Sequence, residues 1–178
     1  CVDFCKKHDV NIFFVRKHIV DVSAHHHLFN EIGVTVIADN NAYLIATLND
    51  KVKTAELFRK HNLCKVPDIM VVNTVNEFQT AYNMLHTKYP KDRICFKYAV
   101  DEGGTSFRIV DDSMDGIAAL RRGQGAKITY SDAIRILSDV DRFDDLILMP
   151  YLHGPEISVD SLMTSKGFVG CARIKTGT

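Results

Sequence analysis

Residues 146–160 read Leu-Ile-Leu-Met-Pro-Tyr-Leu-His-Gly-Pro-Glu-Ile-Ser-Val-Asp, and this stretch decides the architecture. The apolar run 146–149 has the length of a buried strand. Pro150 lacks the N–H that a ladder needs, so the strand ends or leaves the sheet there. Gly154-Pro155 marks a turn. A second strand then starts behind a carboxylate, Glu156. Backbone groups freed where a strand stops pairing become available to a ligand. The main chain of Met149 and Leu152 is placed to read the edge of a planar heterocycle, and Glu156 to accept hydrogen bonds from sugar hydroxyls. An ordinary hairpin with a charged start fits the same letters.

Upstream, strands and helices alternate. Residues 11–15 (NIFFV) and 34–38 (VTVIA) read as short strands, joined by a helix over 18–31 that Gly33 stops. Strand–helix–strand is a parallel crossover unit. A short helix follows Asn40-Asn41. A longer one runs from Asp50, its N-cap, to about residue 63, with Val52, Ala55, Leu57 and Phe58 on its apolar face. Then come a strand (69–72), a helix (75–88), a strand (94–99), the turn Glu102-Gly-Gly-Thr-Ser106 and a strand (107–110). Helices over 114–121 and 131–140 precede three closing strands, 146–150, 157–164 and 168–174. The rhythm changes near residues 63–68. It is α/β before and α+β with antiparallel hairpins after, so the expected class is α/β plus α+β.

Three further features carry chemistry. Gly103-Gly104 lets backbone N–H groups approach phosphate oxygens, and Thr105 and Ser106 add hydroxyl donors. The turn leads to a strand and has no Walker pattern, so a plain hairpin turn competes. Lys97 lies among apolar strand residues and must face solvent or find an anion. Lys51 opens a helix, where the macrodipole disfavours a cation. A ligand-serving role explains that misfit, and a solvated surface lysine is the plainer alternative.

Lys plus Arg and Asp plus Glu both number 22, so the chain lacks the basic excess of a dedicated nucleic-acid binder. No run approaches the ~18 apolar residues of a membrane span. The five cysteines, 1, 5, 64, 95 and 171, are odd in number and scattered. That speaks against a disulfide framework or a structural zinc site and for reduced thiols in the cytoplasm. The adjacent histidines 25–27 point in different directions on a helix and read as a solvated face. Asp139, Asp141, Asp144 and Asp145 lack the glycine and terminal glutamate of a calcium loop. Arg121-Arg122 reads as a helix C-terminal pair, and Cys95 as a buried structural thiol. The chain opens inside an apparent helix and closes directly after a strand, so a piece of a longer protein is expected.

A lysine at a helix start, a lysine before a Gly-Gly loop and an apolar strand running into Gly-Pro-Glu occur here in that order. The order resembles the ATP-grasp superfamily. It is carried by residues 49–54 (NDKVKT), 94–97 (ICFK), Gly103-Gly104 and 146–160. The nearest likeness is to carbamoyl-phosphate-synthetase-like carboxylate–amine ligases, with D-alanine–D-alanine ligase and biotin carboxylase as wider relatives.

The resemblance implies that residues 1–49 are the C-terminal part of the α/β domain preceding the grasp. Residues 50–178 would be the N-terminal portion of the grasp itself. Lys51 then matches the first nucleotide lysine. Lys97 matches the second, which reaches the phosphates and the adenine side and serves catalysis. Gly103, Gly104, Thr105 and Ser106 match the loop over the triphosphate. Met149 and Leu152 match the adenine-edge positions, with Tyr151 between them, and Glu156 the ribose ligand. Arg173 or Lys175 would approach the γ-phosphate or the carboxylate substrate. The implied cofactors are ATP and Mg²⁺, the metal's ligands being expected beyond Thr178, with none in this chain.

The implied partners are a small-molecule carboxylate and an amine or thiol, joined through an acyl phosphate. The chain alone is then expected to be inactive. A nucleotide-binding module of the same ancestry without catalysis is the alternative. Unpaired sheet edges leave a homodimer open. The pattern departs from the superfamily at Tyr98 (commonly proline), at Asp101 and Glu102 inside the loop, at Ser106 (often glycine) and at Pro150 (often lysine).

Overall fold

A computed structural model describes residues 1–101, 104–117, 125–164 and 166–174. Glu102, Gly103, Arg121, Arg122, Lys175 and the second half of the helix expected over 114–121 lie outside the described residues.

The first elements are α1 (Val2–Lys7), β1 (Ile12–Phe14), α2 (Ile19–Ala24), α3 (His26–Asn30) and β2 (Thr35–Ile37). β1 and β2 are parallel, Phe13 opposite Val36, as the crossover pattern requires. Cys5, Val15, Val22, Phe29, Val34 and Val36 close a small core, where the Phe13 and Phe29 rings stack at 5.4 Å. The single helix expected over 18–31 is instead two. His25 breaks it, with φ −107° and ψ 19°, and its Nδ1 stands 2.8 Å from the Asp21 carbonyl oxygen. The Leu44 N–H donates to the Asn41 side chain at the start of α4 (Ala42–Asn49). The N–H groups of Val52 and Lys53 donate to Asp50, which caps α5 (Lys51–Lys60).

A five-stranded sheet follows, built from β3 (Met70–Val72), β4 (Ile94–Tyr98), β5 (Arg108–Val110), β6 (Lys127–Ile128) and β7 (Leu146–Pro150). The strand order is β3-β7-β4-β5-β6. All neighbours are antiparallel except β5 and β6. Between the strands run α6 (Val75–Lys88) and α7 (Tyr130–Leu137). α6 opens with a capping box: the Glu77 N–H donates to Thr74 Oγ1, and Glu77 Oε2 accepts from the Asn73 N–H.

Both helices cover the sheet face that carries Val72, Ile94, Phe96, Val110, Leu146 and Leu148. Phe78 of α6 meets Phe96 edge-on at 5.3 Å. Phe78 and Leu148 are fully buried, each side chain worth about 1.5–3 kcal/mol of transfer free energy. Successive strand residues alternate faces. Cys95, Lys97, Ile109, Ile147 and Met149, register partners of one another, therefore share the second face. β8 (Ile157–Thr164) and β9 (Gly167–Ile174) form a separate antiparallel ribbon whose side chains are largely exposed.

Candidate functional site

Lys51 and Lys97 come from distant parts of the sequence, and at the end of β4 they lie close enough for the Lys97 charge to act on Lys51. The Lys51 N–H donates to the Ala99 carbonyl at 2.9 Å, and Asp50 bridges Val100 in antiparallel fashion. The start of α5 is thereby pinned to the chain leaving β4. The Lys51 ammonium donates to the carbonyls of Ala99 at 3.3 Å and Asp101 at 3.2 Å. An ammonium has three protons, so one remains for a ligand. Burial draws the Lys51 pKa below its ordinary value, and the neighbouring Lys97 charge adds to this. Asp101 and Asp50 oppose the shift. Lys97 is half-buried and makes no ion pair among the described residues. A lysine whose charged form is disfavoured by burial and by a neighbouring cation marks a place where an anion brings relief.

The connection 99–107 beside them is organised by Asp101. Its carboxylate accepts from the Ser106 N–H at 2.9 Å, the Ser106 hydroxyl at 2.6 Å and the Thr105 hydroxyl at 2.9 Å. These donors hold the Asp101 carboxyl down at about 2, with Lys51 contributing. Ser106 Oγ also accepts from the Tyr98 N–H at 3.0 Å. Gly104 has φ +72°, a left-handed conformation that favours glycine. The Arg108 guanidinium ties down the far side of the loop, donating to the carbonyls of Thr105 and Phe107. In the sequence Asp101 stands out only as a charge inside the loop, and nothing singles out Arg108. The clustering of Thr, Ser and Asp within one turn was the available signal for Asp101.

The stretch from β7 to the Gly154-Pro155 turn divides its peptide groups between two sides. Cys95 faces Met149 in the ladder, and the Tyr151 N–H donates to the Arg93 carbonyl at 2.7 Å. In an antiparallel pair every second residue spends its peptide groups on the same neighbour. The groups of Met149 and Tyr151 therefore belong to β4. β3 begins at Met70, opposite Leu148, so beyond Leu148 no strand pairs with the other side of β7. The freed acceptor is the Pro150 carbonyl, followed by the peptide groups of Leu152. Met149 is thus paired within the sheet, while Pro150 and Leu152 lie past the end of β3. Tyr151 is half-buried, and its ring lies 6.4 Å from Phe107 and 5.2 Å from His153. That contact joins the end of the loop to the turn.

Glu156 is exposed just before β8. Arg173 lies out on the ribbon and pairs with Asp160 at 3.0 Å, both largely exposed. Cys95 is buried behind Lys97, its thiol pushed up to about 11 by that burial. All five cysteines are free. Among the described residues no cluster of three or more His, Cys, Asp or Glu side chains suits a metal ion, and no helix is long and apolar enough to cross a membrane.

No protein-family model matches the chain, and no curated protein does. Solved structures do. The D-alanine–D-alanine ligase of Coxiella burnetii superposes with a TM-score of 0.55 at 14% identity, over 91% of this chain and 42% of the ligase. The biotin carboxylase domain of the Hydrogenobacter thermophilus 2-oxoglutarate carboxylase, solved with MgADP and bicarbonate, gives 0.47 at 17% identity, over 90% and 32%. The ATP-grasp ligase PsnB gives 0.43 at 15% identity, over 88% and 46%. The likeness at such identities concerns fold, and the Coxiella ligase carries it. The chain has an ATP-grasp fold, in the mixed α/β class expected from its sequence, and spans less than half the length of each of these proteins.

Proposed function

We propose that this chain is the nucleotide-binding part of an ATP-dependent carboxylate–amine or carboxylate–thiol ligase. The observation that carries the reading is the Lys51 ammonium bound at the Asp101–Ser106 turn, within reach of the Lys97 charge. ATP brings a compact negative charge, and fixed ammonium groups stabilise charge that shifts during transfer without reorganising. In this reading Lys51 and Lys97 hold the phosphates. Gly104, Thr105 and Ser106 line them, and Gly103, outside the described residues, is assigned to the same loop by sequence. The Pro150 carbonyl and the Leu152 N–H receive the adenine edge, and Glu156 the ribose. A carboxylate oxygen attacks the γ-phosphorus as ADP leaves. An amine or thiol then takes the acyl group, releasing phosphate. Arg173 and Lys175 remain candidates for the carboxylate or γ-phosphate.

The described residues do not fit a Mg²⁺ site, so no step is assigned to the metal. We place the boundary between a preceding α/β unit and the grasp at residues 49–50, and the protein in the cytoplasm. The carboxylate inside the loop favours one second reading, a nucleotide-binding module without catalysis.

Calorimetric titration with ATP and Mg²⁺ tests the site. Binding that is lost in both Lys97→Ala and Glu156→Ala is expected. Binding indifferent to both substitutions would refute the assignment. In the longer protein, steady turnover of ATP to ADP and phosphate that needs both a carboxylate and an amine or thiol separates the ligase from the module.

A further inference from the structure

The proposed site needs donors from the loop after β4, and those donors already hold an anion. One backbone N–H and two hydroxyls, from Ser106 and Thr105, converge on the Asp101 carboxylate at 2.6–2.9 Å. This is the set of groups a turn offers to a phosphate oxygen. The Lys51 ammonium sits in the same place, bound to the Asp101 carbonyl and acted on by the Asp101 charge. Ser106 Oγ also takes the N–H of Tyr98, the residue after Lys97.

Resting on the reading of the site as a nucleotide site, we propose that Asp101 is an internal competitor of the nucleotide phosphates. It fills the loop's anion cradle in the free chain and sets phosphate affinity by having to leave it. Two anions cannot share one set of donors, because each of the Ser106 and Thr105 protons is committed to a single acceptor direction. A carboxylate that stayed beside a triphosphate would also repel it. The apparent affinity of a cradle is reduced by the fraction of time it stands empty. Strong hydrogen bonding keeps Asp101 ionised at any physiological pH, so the competition does not titrate away. Asp101 thus acts through the loop rather than on the substrate, as a positioning residue.

The test is calorimetric titration of the 178-residue chain with ATP, once with Mg²⁺ and once with EDTA. The parent is compared with Asp101→Asn, Asp101→Glu and Lys97→Ala. Asp101→Asn keeps the shape and removes the charge, and is expected to tighten ATP about tenfold with and without Mg²⁺, each tenfold being ~1.4 kcal/mol. Asp101→Glu keeps the charge and stays near the parent. Binding in Asp101→Asn where the parent shows none also supports the proposal.

Unchanged or weaker binding in Asp101→Asn, with parent binding still dependent on Lys97, overturns the competitor while leaving the site intact. A loss confined to the Mg²⁺ titration overturns it in favour of a metal-ligand role. No binding in any variant overturns the site and the competitor together. Should Asp101→Asn fail to fold, the parent's Asp101 carboxyl ¹³C resonance decides. Saturating ATP shifts it if the carboxylate leaves the cradle, and an unmoved resonance overturns the proposal.

Discussion

Replacing Asp111 with asparagine tests whether one carboxylate clamps the end of the sheet. Asp111 follows β5 and is 6% exposed. Its Oδ1 accepts from the Ser113 hydroxyl at 2.6 Å and the Ser113 N–H at 3.2 Å. Its Oδ2 faces Lys127 of β6 at 2.9 Å and Arg93, just before β4, at 3.5 Å. The Lys127 approach is close, but Oδ2 lacks a well-aligned donor, so the contact works as an ion pair more than a hydrogen bond.

These partners hold the carboxyl near 2 against an ordinary 3.8, with Ser113 and Lys127 the leading causes. At ~1.4 kcal/mol per pKa unit this is roughly 2 kcal/mol of folding stability. The figure is an upper one, because Arg93 and Lys127 are half-exposed and water screens them. The folded pKa lies below the unfolded one. The contribution is therefore complete above about pH 4 and is lost as pH falls through about 2. With a urea slope of about 2 kcal/mol/M, the Asp111→Asn midpoint should drop by up to about 1 M at pH 7. The gap to the parent should close between pH 4 and pH 2. A midpoint that does not move at pH 7, or a gap that persists at pH 2, would refute the clamp.

Thr74→Ala removes the cap of α6 and should lower stability by about 1 kcal/mol, read as a drop in melting temperature; an unchanged melt would mean that the capping box contributes nothing measurable. Gly33→Ala places a side chain at φ +76° in open space, so the strain should be conformational alone, about 1 kcal/mol, and a much larger loss would show a packing role instead. A thiol reagent at pH 8.5 should modify the exposed Cys1, Cys64 and Cys171 and leave Cys95 unlabelled until denaturant is added, and peptide mass mapping that finds Cys95 labelled early would contradict its burial.

Features written in local residue order were legible. The capping box Thr74…Glu77 and the spacing of Phe78, Ala81 and Leu85 set α6 to its observed bounds. The apolar run before Pro150 likewise gave β7 its bounds. Features decided by partners remote in the chain were not. β6 is two residues long and exists as a strand because Ile109 and Val110 lie alongside it. Which peptide groups of 149–152 stay unpaired in the sheet depends on where β3 begins relative to β7, which neither segment shows alone. The helix over 18–31 is interrupted at His25, whose backbone leaves helical geometry, and no residue type there marks a stop. At the site, the order of the two lysines and the glycine turn could be read along the chain. Their convergence, and the occupation of the turn's donors by Asp101, needed three dimensions.

Lys51 is fastened twice to the same few residues, by its backbone N–H to Ala99 and by its side chain to Ala99 and Asp101. One residue is thus both a joint between α5 and the end of β4 and a charge offered to the site. A ligand that draws the ammonium off its two carbonyls loosens that joint in the same motion. Occupancy of the site would then be felt at the base of α5, and the Val100 amide, at the bridge to Asp50, is the place from which to watch it.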